Sequence, residues 1–401
     1  MKKFVFRYFP LFIILYFAFS FTLPSSICMA ADSKTTTSLT PTDAFNVDAK
    51  SGILIEFSSG KVIYEKNSHD KLPPASVTKV MTMLLTMEAV DSGKIKLGDI
   101  VTISDYACTM GGTQLFLSPG EKRTVEELLK GVSIESANDA AVALAEYLEG
   151  SEELFVKRMN TRASELGMKD TLFSNCNGLP TENHYTSAFD IALMSRELLK
   201  HKKILDYTVI WMETISEGRE KPFTMVNKNR LVKFYNGCDG LKTGSTSEAK
   251  FCISATAVRN NMRLISVIMA SPTRDIRNHE AGKLLDFGFA RYEVAKLADK
   301  SDIIGEVKVL KGKNTLVKAI PKENFDILIE KGNKNELTKD IKINKEINAE
   351  VKKGDKIGEI IASKNGVEIG KVDIVAQSSI QRAGIGDLIG RNFYSWLQFA
   401  N

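Results

Sequence analysis

Histidine is scarce in this chain of 401 residues: only His69, His184, His201 and His279 occur. None lies in a His-Glu-x-x-His or Cys/His ligand spacing, so no resident metal or other cofactor is expected. A Gly-x-Ser-x-Gly elbow is missing, which disfavours a Ser-His-Asp hydrolase. Beyond Cys28 there are four cysteines, Cys108, Cys176, Cys238 and Cys252, at irregular spacings. They read as small buried thiols rather than bridges, although an exported chain could form disulfides. Internal repeats are absent. Excess charge is also lacking. Removing the Lys2, Lys3 and Arg7 charges of a cleaved leader from the formal +5 leaves +2. That is no footprint for nucleic acid, and it predicts no long-range steering.

The leader itself is present. Lys2, Lys3 and Arg7 precede an apolar run from Tyr8 to Leu23, broken only by Pro10, Ser20 and Thr22. Small residues follow at Cys28-Met29-Ala30-Ala31, so residues 1–30 read as a secretory signal peptide. An uncleaved anchor is the alternative. A lipoprotein site does not suit the bulky Ile27 before Cys28. Residues 31–44 are rich in Ser and Thr and read as a flexible linker.

An apolar fraction of 43% then supports a sizeable core. Two short runs around Ser58-Ser59-Gly60 give a hairpin signal. The periodicity predicts helices over 75–90, 124–130, 138–148, 152–166, 187–199 and 281–289. The first is apolar around most of its circumference, hence buried. Ser187-x-x-Asp190 is a capping-box pattern. Strands are expected over 249–256 and 263–270, with Asn260-Asn261 as the turn. Together these make a catalytic domain over 45–292. Residues 300–379 carry many Lys and Glu, short β-branched runs and an Asn365-Gly366 hairpin signal, and read as a small all-β domain. From 383 to 401, Ile385, Leu388, Ile389, Phe393, Trp396, Leu397 and Ala400 share one helical stripe. This amphipathic helix either lies in a membrane surface or docks on its own domain.

Three short motifs stand in order: Ser76-Val-Thr-Lys79, Ser136-Ala-Asn138 and Lys242-Thr-Gly244. Each alone is weak. Ser-x-x-Lys recurs at Ser58, Ser68 and Ser247, but only Ser76 begins a buried helix. A serine hydroxyl needs a base, and Lys79 three residues on shares its helix face. At a pKa of ~10.4 only ~0.04% of lysine is neutral at pH 7, and reaching ~7 requires ~4.6 kcal/mol against the charged form. Burial and a second cation, Lys242, are the available levers. Ser136 is placed to relay a proton, and Asn138 to hold Lys79 and a substrate carbonyl. Lys242 and Thr243 can engage a carboxylate, and Gly244 lets a substrate backbone approach closely. The N–H groups of Ser76 and Ser245 are candidates for an oxyanion hole. Taken singly, the second motif is an ordinary helix cap and the third a common turn.

The surrounding blocks extend the match. Pro73-Pro-Ala-Ser-Val-Thr-Lys-Val-Met-Thr82, Glu135-Ser-Ala-Asn-Asp-Ala-Ala141 and Asp239-Gly-Leu-Lys-Thr-Gly244, with Leu166-Gly-Met168, Asn177-Gly-Leu179 and Met262-Arg-Leu264, resemble those of penicillin-binding-type serine D-alanyl-D-alanine carboxypeptidases of low molecular mass. The resemblance implies an α/β plus all-β protein. Its catalytic domain would be β-lactamase/transpeptidase-like, an antiparallel sheet with helices on both faces and a helical subdomain. A β-sandwich-like domain and an amphipathic anchor helix would follow. It implies Ser76, Lys79 and Ser136 as catalytic, and Asn138, Lys242, Thr243, Gly244, Ser245 and Arg277 as substrate-binding, with Arg230 a weaker candidate. The substrate would be a peptidoglycan stem peptide ending in D-Ala-D-Ala, with β-lactams as covalent inhibitors and the membrane surface as a partner. The setting would be the outer face of the cytoplasmic membrane or the cell-wall space. Phe189 stands where many members carry arginine. A class A β-lactamase would need a deacylating glutamate, and neither Glu165 nor Glu182 has the context. A silent cell-wall-binding protein is the alternative from another class.

Overall fold

A computed structural model describes residues 46–215, 222–387 and 389. The leader, the linker and most of the terminal helix expected over 383–401 lie outside the described residues.

A five-stranded sheet organises the larger part. Its order is Val62–Lys66, Ser51–Glu56, Met262–Ser271, Lys250–Arg259 and Cys238–Thr246, antiparallel throughout. Side chains alternate between two cores, because both faces are covered. Ile53, Ile265, Val267 and Met269 pack with the helices Lys79–Asp91 and Ala188–Leu198. Leu54, Leu264 and Ile268 pack with Arg274–Arg291 on the other face. This double burial explains why the central strands are apolar at nearly every position. Asn260 and Asn261 turn the hairpin with φ of 49° and 63°, the pair of positive angles a two-residue hairpin turn requires.

The helix Lys79–Asp91 runs through the first core, and every residue from Lys79 to Met87 is buried. The single helix expected over 75–90 is split. Ala75–Thr78 forms a 3₁₀ turn, because Ala75 stands at a non-helical φ of 48°. The capping box expected at Ser187 is only half made. Ser187 Oγ accepts from the Asp190 N–H, but the Asp190 carboxylate accepts from Asp170 N–H and Thr171 Oγ1 instead. A complete box occurs at Thr124 and Glu127.

Several strands were not signalled by composition, and two of them carry a physical lesson. Cys238–Thr246 holds Gly240, Gly244 and Asp239, which read as turn residues, yet it is the sheet's edge strand. Leu316–Pro321 ends in proline and pairs in the second sheet. That sheet has the order Leu337–Ile343, Lys356–Lys364, Val367–Ala376, Leu316–Pro321, Gly305–Leu310, Glu346–Asn348. Tyr292–Ala298 pairs with Phe325–Glu330, and the two layers share one core that includes Ala295, Ile327, Val307, Ile360 and Ile374. Asn365 and Gly366, at φ 51° and 80°, turn the expected hairpin. The four cysteines of the described residues are free. Three are buried and Cys108 is half-buried.

Leu84 is fully buried at the centre of the first core. Leu84→Ala is expected to cost about 2–5 kcal/mol. Urea unfolding checks this, and a loss under about 1 kcal/mol would contradict the packing described.

Candidate active site

Two glycines press the Ser76 turn into place. Gly178, at φ 82°, leaves no room for a side chain: a Cβ there would lie 1.9 Å from Ala75 O. Gly244 packs from the neighbouring edge strand, where a Cβ would lie 2.8 Å from both Pro74 O and Ser76 N. Gly244 therefore admits the protein's own backbone, and it also lines the cleft, where a substrate approach was expected of it.

Lys79 begins the buried helix one turn later. Its Nζ donates to Ser76 Oγ at 3.0 Å, Asn138 Oδ1 at 2.6 Å and Asn177 O at 2.6 Å. Two of these acceptors are carbonyls, which can only accept. A neutral Lys79 spends both N–H bonds on them and turns its lone pair toward Ser76 Oγ. Burial lowers the Lys79 pKa from 10.5 to about 7. The site thus combines an amine that is neutral in substantial part near pH 7 with a single direction in which it can accept a proton.

Lys242 lies on the edge strand opposite Ser254. Its Nζ donates to Ser136 Oγ at 2.8 Å and to Thr243 O at 2.9 Å. Burial first, and then the nearby charge of Lys79, push its pKa well below 10.5. Burial and a second cation were the expected levers on Lys79. Burial leads at both lysines, and the charge of Lys79 acts on Lys242 as well.

Ser136 ends a wide π turn, Gly131–Glu135, in the left-handed conformation at φ 70°. Non-glycine residues adopt it at a cost of order 1–3 kcal/mol. Here it brings Oγ to Lys242. Asn138 opens the helix Asn138–Glu149, and its Nδ2 donates to Gly111 O at 2.6 Å. That bond leaves Oδ1 for Lys79. The buried Asp139 carboxylate accepts from the N–H groups of Leu115, Leu117 and Ala140, which ties down the loop beside the cleft.

One cleft is lined by Ser76, Ser136, Asn138, Thr243, Gly244, Ser245 and Arg277, with Lys79 and Lys242 buried behind it. The structure thus brings together all nine expected residues. Arg277 is 3% exposed, and its guanidinium donates to Cys252 O and Asn278 Oδ1. Burial lowers its pKa from 12.5 to about 10. Among the described residues no carboxylate forms an ion pair with it. Lys228, Arg230 and Arg274 also line the cleft, whose described lining contains no acid. Glu165 is engaged by Arg158 and Arg162 on the surface, and Glu182 is not part of the lining. Phe189 stacks on His69 with ring centroids 4.6 Å apart, away from this chemistry.

Sequence reasoning missed the Asn177 carbonyl, the Asp139 clamp and the clamping role of Gly178. Only the Asn177-Gly-Leu179 block hinted at the first and last. A backbone carbonyl carries no residue-type signal.

The family model described as D-alanyl-D-alanine carboxypeptidase matches residues 35–273, and that of the penicillin-binding protein 5 C-terminal domain matches 292–382. The chain is 46% identical to D-alanyl-D-alanine carboxypeptidase DacF of Bacillus subtilis, over 88% of this chain and 91% of that protein. The crystal structure of penicillin binding protein 5 from Haemophilus influenzae superposes with a TM-score of 0.73 at 31% identity, covering 84% of this chain and 99% of that one. An ampicillin-bound penicillin-binding protein from Listeria monocytogenes gives a TM-score of 0.55 at 30% identity, over 61% of this chain and 99% of that one. With the Ser76–Lys79 pair, the two domains and these matches in agreement, the chain belongs to the D-alanyl-D-alanine carboxypeptidase family.

Proposed function

We propose that this protein hydrolyses the terminal D-Ala-D-Ala bond of peptidoglycan stem peptides through a Ser76 acyl-enzyme, and that β-lactams acylate the same serine. The observation that carries this reading is the Lys79 amine, buried, held near pKa 7 and left with one open direction, toward Ser76 Oγ. Neutral Lys79 takes the hydroxyl proton as Ser76 Oγ attacks the D-alanine carbonyl. The N–H groups of Ser76 and Ser245 receive the oxyanion. Protonated Lys79 then gives that proton up to the leaving amine, relayed through the Ser136 hydroxyl, which is bonded to Lys242. D-alanine departs, and water cleaves the ester to restore Ser76. Arg277, with Thr243, receives the terminal carboxylate. Among the described residues its buried guanidinium has no acidic partner, and the described cleft lining is cationic.

A β-lactamase reading finds no support in a described lining without a carboxylate to activate deacylating water. Export follows from the leader, and action on peptidoglycan fits an exported chain. The amphipathic tail supports attachment to the membrane surface. Among the described residues no helix is long and apolar enough to cross a membrane.

Ser76→Ala is expected to abolish both D-alanine release from a muramyl pentapeptide and labelling by fluorescent penicillin. Persistent release would remove Ser76 as nucleophile. In the wild type, a penicillin adduct on the Ser76 peptide should be long-lived by mass spectrometry, and rapid turnover would favour the β-lactamase reading.

The pH dependence has a definite sign. Lys79 acts when unprotonated, so kcat/KM for D-alanine release should rise with pH and level off above about 7. The slope below that point approaches tenfold per unit. Lys79→Arg, always charged, should lose this limb and at least about 10²-fold in rate. Arg277→Ala is expected to raise KM or slow acylation about 10- to 100-fold, equivalent to about 1.4–2.8 kcal/mol, with partial recovery in Arg277→Lys. Steady-state kinetics on acyl-D-Ala-D-Ala peptides reads both.

A further inference from the structure

Behind the Ser76 turn runs a buried line of hydrogen bonds that the steps above do not use. The Ser174 N–H donates to His184 Nδ1 at 3.0 Å, and His184 Nε2 stands 2.7 Å from Thr78 Oγ1. Thr78 Oγ1 donates to Ala75 O at 2.8 Å. The directions follow from the groups themselves. A backbone N–H only donates, so Nδ1 accepts and the ring proton sits on Nε2. Thr78 has one proton and gives it to a carbonyl that can only accept. It therefore receives from the imidazole. Thr78 is fully buried and His184 is 7% exposed, so solvent does not compete. Burial also lowers the His184 pKa to about 4, which keeps the ring in this neutral form.

The end of the line matters. The Ala75–Ser76 peptide is trans, since the cis bonds of the described chain lie elsewhere. In a planar trans peptide the C=O and N–H point in opposite directions, so holding one aims the other. The group aimed here is the Ser76 N–H, one of the two oxyanion donors. Ala75 itself sits at φ 48°, a conformation that needs outside restraint. Gly178 walls the carbonyl on one side, and Thr78 supplies its hydrogen bond. A chain of hydrogen bonds also polarises its members by roughly 10–30% per bond.

We infer that His184 and Thr78 form a relay that aims and polarises the Ser76 N–H, making both positioning residues for acyl transfer. The inference rests on the assignment of Ser76 as nucleophile and oxyanion donor. Losing an oxyanion donor outright costs about 10²- to 10³-fold in rate, so a mis-aimed one should cost about 10- to 100-fold.

The test measures the non-covalent Kd and the acylation rate constant of a fluorescent penicillin on the full chain, with Tm recorded in parallel. Thr78→Val removes the hydroxyl at similar volume. His184→Asn reaches the Ser174 N–H but not Thr78, whereas His184→Gln carries an amide donor toward the Nε2 position. Thr78→Val and His184→Asn should each slow acylation about 10- to 100-fold with Kd held within about twofold. The double variant should be no slower than the slower single, because both break one line. His184→Gln and Thr78→Ser should recover most of the rate. An unchanged acylation rate in Thr78→Val, losses that multiply in the double variant, a Kd that shifts as far as the rate, or His184→Gln no better than His184→Asn would each overturn the relay. Should Thr78→Val fail to fold, the His184→Gln and His184→Asn pair decides by the same criteria. Wild-type protein that takes no penicillin on Ser76 overturns the nucleophile assignment instead, a result distinct from any of these.

Discussion

A primary amine kept out of water is the constraint from which most of this structure follows. Lys79 can act on Ser76 only while it is neutral, and its neutrality comes from burial. Burial requires a helix that is apolar around most of its circumference, and Val80 to Met87, with Thr82 and Thr86 hydrogen-bonded to carbonyls, supply it. That helix needs cover on each flank, which the Ala188–Leu198 helix, the Asn138–Glu149 helix and one face of the sheet provide. The amine also needs partners that leave its lone pair free. Two carbonyls, Asn138 Oδ1 and Asn177 O, meet that need, whereas a carboxylate in either place would stabilise the ammonium.

The second lysine works under the same constraint. Two ammonium groups in one low-dielectric pocket repel strongly, and burial first, then the charge of Lys79, hold Lys242 well below its ordinary range. Its bonds to Ser136 Oγ and Thr243 O place the serine hydroxyl at the cleft. The left-handed strain at Ser136 is the local cost of bringing that hydroxyl to the lysine.

How far the sequence reveals this depends on whether side chains or backbone do the work. The Ser76–Lys79 pair was legible because three residues of helix place two side chains on one face. The hairpins at Asn260-Asn261 and Asn365-Gly366 were legible because positive φ selects residue types. The Cys238–Thr246 strand was not. Its glycines look like turns, and it is a strand only because Lys250–Arg259 supplies its ladder. Gly244 hid its contact with the Ser76 turn for a related reason: nothing local says whose backbone a glycine admits. Asn177 contributes a main-chain oxygen, to which its amide identity is irrelevant. The half-made box at Ser187 shows tertiary competition, since Asp190 finds better donors in Asp170 and Thr171 than in its own helix start.

The unpaired thiols bear on how the chain comes to be made. Cys176, Cys238 and Cys252 are buried, and burial holds all three thiols above their ordinary range, so they are poor nucleophiles toward oxidants. Among the described residues no bridge joins the sheet to the helices, and hydrophobic cover with hydrogen bonds such as that between Ser195 Oγ and Ser254 Oγ holds them together. The described fold therefore needs no electron acceptor to form, and Cys108, half-buried, is the most accessible of its four thiols.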